Sequence, residues 1–168
     1  MKNLKKIILA LVTILFFGGF TQAQYAPWAK LDSNAPKDIS SRKYPVPTKD
    51  EVGIPAYPGA VISSVSAPST DTTKYKQEVL PFVILVSTDN PNNVVAFYKR
   101  NLTKNKGWNY NEEFRTFVKG KTGTALTGFV PTVSIRDEDG ENFDLVYVDQ
   151  GLKNRLKTRI EITYKPSK

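Results

Sequence analysis

The chain has 168 residues, 24 Lys/Arg against 16 Asp/Glu for a formal charge of +8, and neither histidine nor cysteine. That composition excludes disulfides, Cys- and His-ligated zinc, Ser-His-Asp and Cys-His nucleophilic machinery, and histidine pH switching. Catalysis would have to rest on carboxylates, lysine, tyrosine or hydroxyls, and the fold must hold by apolar burial.

Residues 1–23 read as a secretory signal peptide. Lys2, Lys5 and Lys6 make a positive start, residues 7–17 are apolar and uncharged, and Thr21-Gln22-Ala23 offers a small-residue cleavage site. An uncleaved membrane anchor is the alternative. Against it, the apolar run fades at Gly18-Gly19, short of the roughly 20 residues that a spanning helix needs. Cleavage would remove three lysines, lowering the charge from +8 to +5 and leaving 145 residues, a length for one domain. The expected location is therefore exported, periplasmic or secreted.

Six of the eleven prolines fall within residues 24–58. Proline fixes φ and removes a backbone donor, which defeats both a continuous helix and a central strand. Residues 24–52 are thus expected to be an extended or disordered tether, laid against the domain by Tyr25, Trp28 or Tyr44. A single domain is expected over residues 53–168. Its first strand is predicted at 60–66, followed by a polar loop at 68–74. The run at 78–86 is apolar on both alternating faces, the pattern of a strand buried on both sides.

Asn90 suits a helix N-cap and Pro91 the first helical position, so a helix is predicted over 91–106. Val94, Val95, Phe97, Tyr98 and Leu102 form its apolar stripe, lysines and Arg100 gather toward its end, and Gly107 supplies a left-handed turn. Trp108 is expected to fold back onto the helix end. Strands follow at 114–119, at 126–136 with Pro131 as a bend or edge mark, at 143–148 after a hairpin turn at Asp139-Gly140, and at 159–164. The order β-β-α-β-β-β-β, with short turns after the helix, predicts an α+β domain. It would have two layers: a mainly antiparallel sheet with one principal amphipathic helix packed on one face.

Tyr57-Pro58-Gly59-Ala60, Thr88-Asp89-Asn90-Pro91, Val94 or Val95, Phe97-Tyr98-Lys99 and Gly107-Trp108 fall in order across about 50 residues. In this the stretch 57–108 resembles an exported bacterial domain of unknown function with a YPGA…TDxP…FYK…GW pattern. The resemblance implies an exported α+β domain and brings no catalytic residues with it.

The strongest chemical candidates are Asp137, Asp139, Glu141 and Asp144, four acids of the kind that hard cations prefer when clustered. The helix–loop–helix calcium spacing fails, however. With Gly140 in the glycine position, the first and twelfth ligands fall on Ile135 and Val146. A solvated hairpin tip around Asp139-Gly140 is the preferred reading. Ser40-Ser41-Arg42-Lys43 and Lys121-Thr122-Gly123 echo serine enzymes that act on β-lactams, but Tyr44-Pro45-Val46-Pro47 forbids the helix that such a serine needs. Gly120-Lys121-Thr122 echoes a phosphate loop whose earlier glycine falls on Arg115. Glu112-Glu113 cannot form a glycosidase pair with each other, since strand neighbours point to opposite faces. Aromatic residues at periodic positions read as core rather than as a stacking platform for nucleic acid.

These readings lead to the expectation of a non-enzymatic, exported binding or accessory domain of the cell envelope. No cofactor, catalytic residue or nucleic acid is expected. Partners to consider are an envelope protein, an anionic envelope polymer or a small amphiphile. The alternative is a carrier or sensor of a small apolar or amphiphilic ligand held between helix and sheet; a carboxylate-based hydrolase ranks below both.

Overall fold

A computed structural model describes Ala29 and residues 46–70, 78–102, 107–120, 128–141 and 148–166. The signal segment, Tyr25, Trp28, Tyr44, the 143–147 stretch with Asp144, and the Ser40–Lys43 and Lys121–Gly123 strings lie outside the described residues.

The domain is α+β. Strands β1 (Val61–Ser66), β4 (Phe82–Ser87), β5 (Trp108–Asn111), β6 (Thr116–Lys119), β7 (Thr132–Asp137) and β8 (Thr158–Thr163) make one sheet in the order β1-β4-β8-β7-β6-β5, with antiparallel neighbours throughout. β2 (Ser69–Thr70) and β3 (Glu78–Val79) form a separate short ladder. The principal helix α2 (Pro91–Leu102) covers one face; α1 (Lys49–Val52) and α3 (Gln150–Lys153) are single turns. Among the described residues no helix is long and apolar enough to cross a membrane.

Each main element follows from local chemistry. Asn90 Oδ1 accepts the Asn92 amide at 2.9 Å, so Asn90 acts as the expected cap ahead of Pro91. Val94, Val95, Tyr98 and Leu102 are all buried beneath α2. Each such side chain contributes about 1.5–3 kcal/mol by leaving water, which is what holds a helix of this length in place. They pack on Val83 and Leu85 of β4, Ile160 and Ile162 of β8, and Val133 and Ile135 of β7. β4 is buried on both faces: Val86 joins Val148 and Leu156 on the opposite side of the sheet. The bulge between Ile62 and Ser64 re-phases β1, so that Ile62 opposes Leu85 while Ser64 opposes Ile84.

Several sequence expectations are corrected. The 78–86 run is two strands, because Pro81 interrupts the ladder between β3 and β4. The predicted helix, by contrast, agrees with the structure from Pro91 to Leu102, and its last residues, 103–106, lie outside the described set. Trp108 is buried in the same core as Leu102, yet it also opens β5, a strand not anticipated. The strand expected at 114–119 begins only at Thr116, with Phe114 on the turn. Pro131 precedes β7, which is an interior strand between β6 and β8. Asp139-Gly140 does not lead directly into the partner of β7, because that partner is β8, about twenty residues on. The C-terminal strand therefore closes the sheet from within, between β7 and β4, rather than ending a meander at its edge.

Order also begins ahead of the proposed boundary at residue 53. Thr48 caps α1 in a reciprocal box with Glu51, Val52 is in the core, and Ala29, from the proline-rich stretch, is 4% exposed within that same core.

Candidate functional site

The residues of the YPGA…GW pattern come together around the docked face of α2. The Tyr57 hydroxyl donates to Asp89 Oδ2 at 2.5 Å, and the Tyr57 ring meets Phe97 edge-on at 5.3 Å. Tyr98 lies 6.1 Å from Phe117, and the Lys99 ammonium stands 4.3 Å above the Tyr110 ring. Three successive helix residues thus engage the approach to β1, the strand β6 and the strand β5. Asp89 is held further by its own amide on Ser87 Oγ and by Thr158 Oγ1 donating to its carbonyl. Burial, reinforced by the hydrogen bond to Asp89, pushes the Tyr57 phenol up to about 12. A phenol in that state is a hydrogen-bond donor at neutral pH and not a base. The cluster fastens the helix to the sheet.

Of the acids singled out as metal candidates, Asp137 and Asp139 serve the surface and the backbone, Glu141 is exposed, and Asp144 lies outside the described residues. Asp137 pairs with Arg115 at 3.0 Å, and Asp139 Oδ1 accepts the Glu141 amide at 3.0 Å. Glu138 accepts the Gly140 amide at 2.9 Å. No group of three potential metal-ligating side chains forms among the described residues. Glu112 and Glu113 lie in the exposed β5–β6 turn. Glu51 is held below the usual carboxylate range by its hydrogen bonds to Thr48, the wrong direction for a general acid.

A concave feature with an apolar floor and charged rim lies at the other end of that hairpin. Trp108 on β5 stands directly opposite Lys119 on β6. The Lys119 amide donates to Pro131 at 3.0 Å, and the Tyr164 amide to Pro81 at 3.1 Å, continuing the row toward β8 and β4. α1 lies over this row. On one side is a cleft of about 330 Å³, floored by Trp108, Leu102, Ile54 and Pro131 and rimmed by Asp50, Glu51, Lys119 and Lys165. On the other is a cleft of about 370 Å³ formed by Pro47, Pro68, Pro81, Pro166 and Tyr164, with Glu51 between the two. Burial, with the Glu51 charge nearby, raises the Tyr164 phenol. Neither Lys119 nor Lys165 is ion-paired among the described residues. Apolar floor, mixed-charge rim and two available ammonium groups suit recognition of an apolar group that carries negative charge.

Sequence reasoning missed this cleft because its walls come from six separate segments. The one local signal was Trp108-Asn109-Tyr110, whose alternation marks β5 and, once the turn is placed, sets Trp108 opposite Lys119. No protein-family model, curated protein or solved structure matches the chain.

Proposed function

We propose that the chain is an exported, non-enzymatic binding or accessory domain of the cell envelope, acting through the cleft beside α1. The observation that carries this reading is the pair of lysines, without a carboxylate partner among the described residues, beside an apolar floor at the end of the sheet. The signal-peptide pattern and the resemblance of residues 57–108 to an exported domain support its location. Tyr98 and Phe117, both fully buried, occupy the helix–sheet interface where a carried apolar ligand would sit, which favours binding at the cleft over enclosure.

Co-sedimentation of the purified chain with isolated bacterial envelopes tests the proposal. The bound fraction should fall several-fold in the Lys119→Ala/Lys165→Ala variant. Binding unaffected by that double change would remove the cleft from the account. Turnover of peptidoglycan, ester or phosphoester substrates, abolished by one carboxylate substitution, would overturn the non-enzymatic reading.

A further inference from the structure

Phe114 is 63% exposed, the only large hydrophobic side chain so placed among the described residues. A lone exposed apolar residue is ordinary on a protein surface; this one is held. It sits in the turn between β5 and β6, beside Arg115, a non-glycine residue at φ 45°. Its amide donates to Asn111 Oδ1 at 3.2 Å, and its carbonyl accepts Thr116 Oγ1 at 2.9 Å. The Arg115 amide reaches the Glu112 carbonyl at 3.3 Å, while its guanidinium pairs with Asp137. Left-handed backbone costs a residue with a Cβ, and these bonds hold it. The outcome is a pinned tip that displays a benzyl group, preceded in the same exposed turn by Glu112 and Glu113 and followed by Arg115, whose charge is paired with Asp137.

We infer that the chain associates head to tail with a second copy of itself, the Phe114 tip of one molecule entering the cleft beside α1 of the next. The inference rests on reading that cleft as a binding surface. Its floor is apolar and its volume of about 330 Å³ accommodates a phenylalanine side chain. Lys119 and Lys165 on its rim complement Glu112 and Glu113. Of the rim acids, Glu51 is engaged by Thr48, and Asp50 is not free either. The two surfaces occupy opposite ends of one hairpin: Asn111 and Thr116 adjoin the tip, Trp108 and Lys119 the cleft. With a rise of about 3.4 Å per strand residue, a tip cannot reach the cleft of its own molecule, so the contact is intermolecular and heterologous. A pre-ordered anchor reduces the entropy cost of docking. A turn seated in one cleft buries less than the roughly 1,200 Å² of a stable complex, so the association is weak and reversible.

Sedimentation velocity of the purified chain, from about 10 μM to about 1 mM to span weak association, tests this. The expected result is a sedimentation coefficient that rises with concentration. Phe114→Ala, Glu112→Lys/Glu113→Lys and Lys119→Glu/Lys165→Glu should each weaken association at least about 10-fold, the loss of a central anchor or its charges. Mixing the two charge-reversed variants should restore it between them. Phe114 is exposed, so an unchanged melting temperature in Phe114→Ala confirms that folding is intact. A monomer at every concentration, association indifferent to Phe114→Ala, or no recovery in the mixture would overturn the inference. So would a tip that binds vesicles of anionic phospholipid without self-association. Envelope binding that depends on Lys119 and Lys165 in a strictly monomeric protein would overturn the self-association alone and leave the proposed function standing.

Discussion

At the residue scale, two tyrosines near α2 have opposite fates. Tyr57 has a full partner in Asp89, whereas the buried Tyr98 hydroxyl approaches the Tyr57 backbone without completing a hydrogen bond. A buried hydroxyl left unsatisfied costs stability. Tyr98→Phe should therefore leave urea stability unchanged or raise it by up to about 1 kcal/mol. Tyr98→Ala, by emptying the helix–sheet interface, should cost about 3–5 kcal/mol. Tyr57 gives a pH signature. Its folded pKa, about 12, lies above the ordinary 10.0, so the folded state holds the proton more tightly. That contribution is complete below about pH 10 and is lost as pH rises toward about 12. Urea midpoints measured from pH 9 to about 12 should fall less steeply in Tyr57→Phe than in the parent chain; equal slopes would refute the assignment.

At the scale of elements, Asp139-Gly140 shows how a correct local signal acquires a different purpose. Gly140 adopts φ 85°, as such a turn demands, but a Cβ there would also collide with the Lys153 carbonyl at the end of α3. The glycine is needed for close approach to that helical turn as much as for its dihedral. Gly140→Ala should cost about 1–3 kcal/mol, read from the urea midpoint, since strain and overpacking add. A cost below about 0.5 kcal/mol, the range of unconstrained surface sites, would mean that α3 shifts freely. Trp108 makes a similar point. Its aromatic bulk, read as a plug for the helix end, also supplies the first inward position of an edge strand.

For the whole molecule, the decisive feature is the pairing of β4 with β8, which joins Phe82 to Thr163 across most of the domain. The last strand is central, and without it β4 and β7 each lose one neighbour. Ending the chain after Lys157 should therefore abolish the cooperative thermal transition seen by circular dichroism, rather than trim an edge. Pairing across such a separation also implies slow folding, because loop closure precedes the contacts that reward it. The same topology brings Lys165, Pro131, Lys119 and Trp108 to one end of the sheet, and so creates the cleft.

What the amino-acid order determined alone was local. The cap at Asn90, the stripe of α2, the doubly buried β4 and the alternation of Ile160, Ile162 and Tyr164 were legible, because each depends on the helix or strand period. From these the α+β class followed. Tertiary structure decided which strands are neighbours, that Phe114 points to solvent, and that Lys119 meets Trp108 beside α1. Those outcomes depend on hydrogen-bonded register between segments far apart in the chain, and register leaves no mark within any one of them.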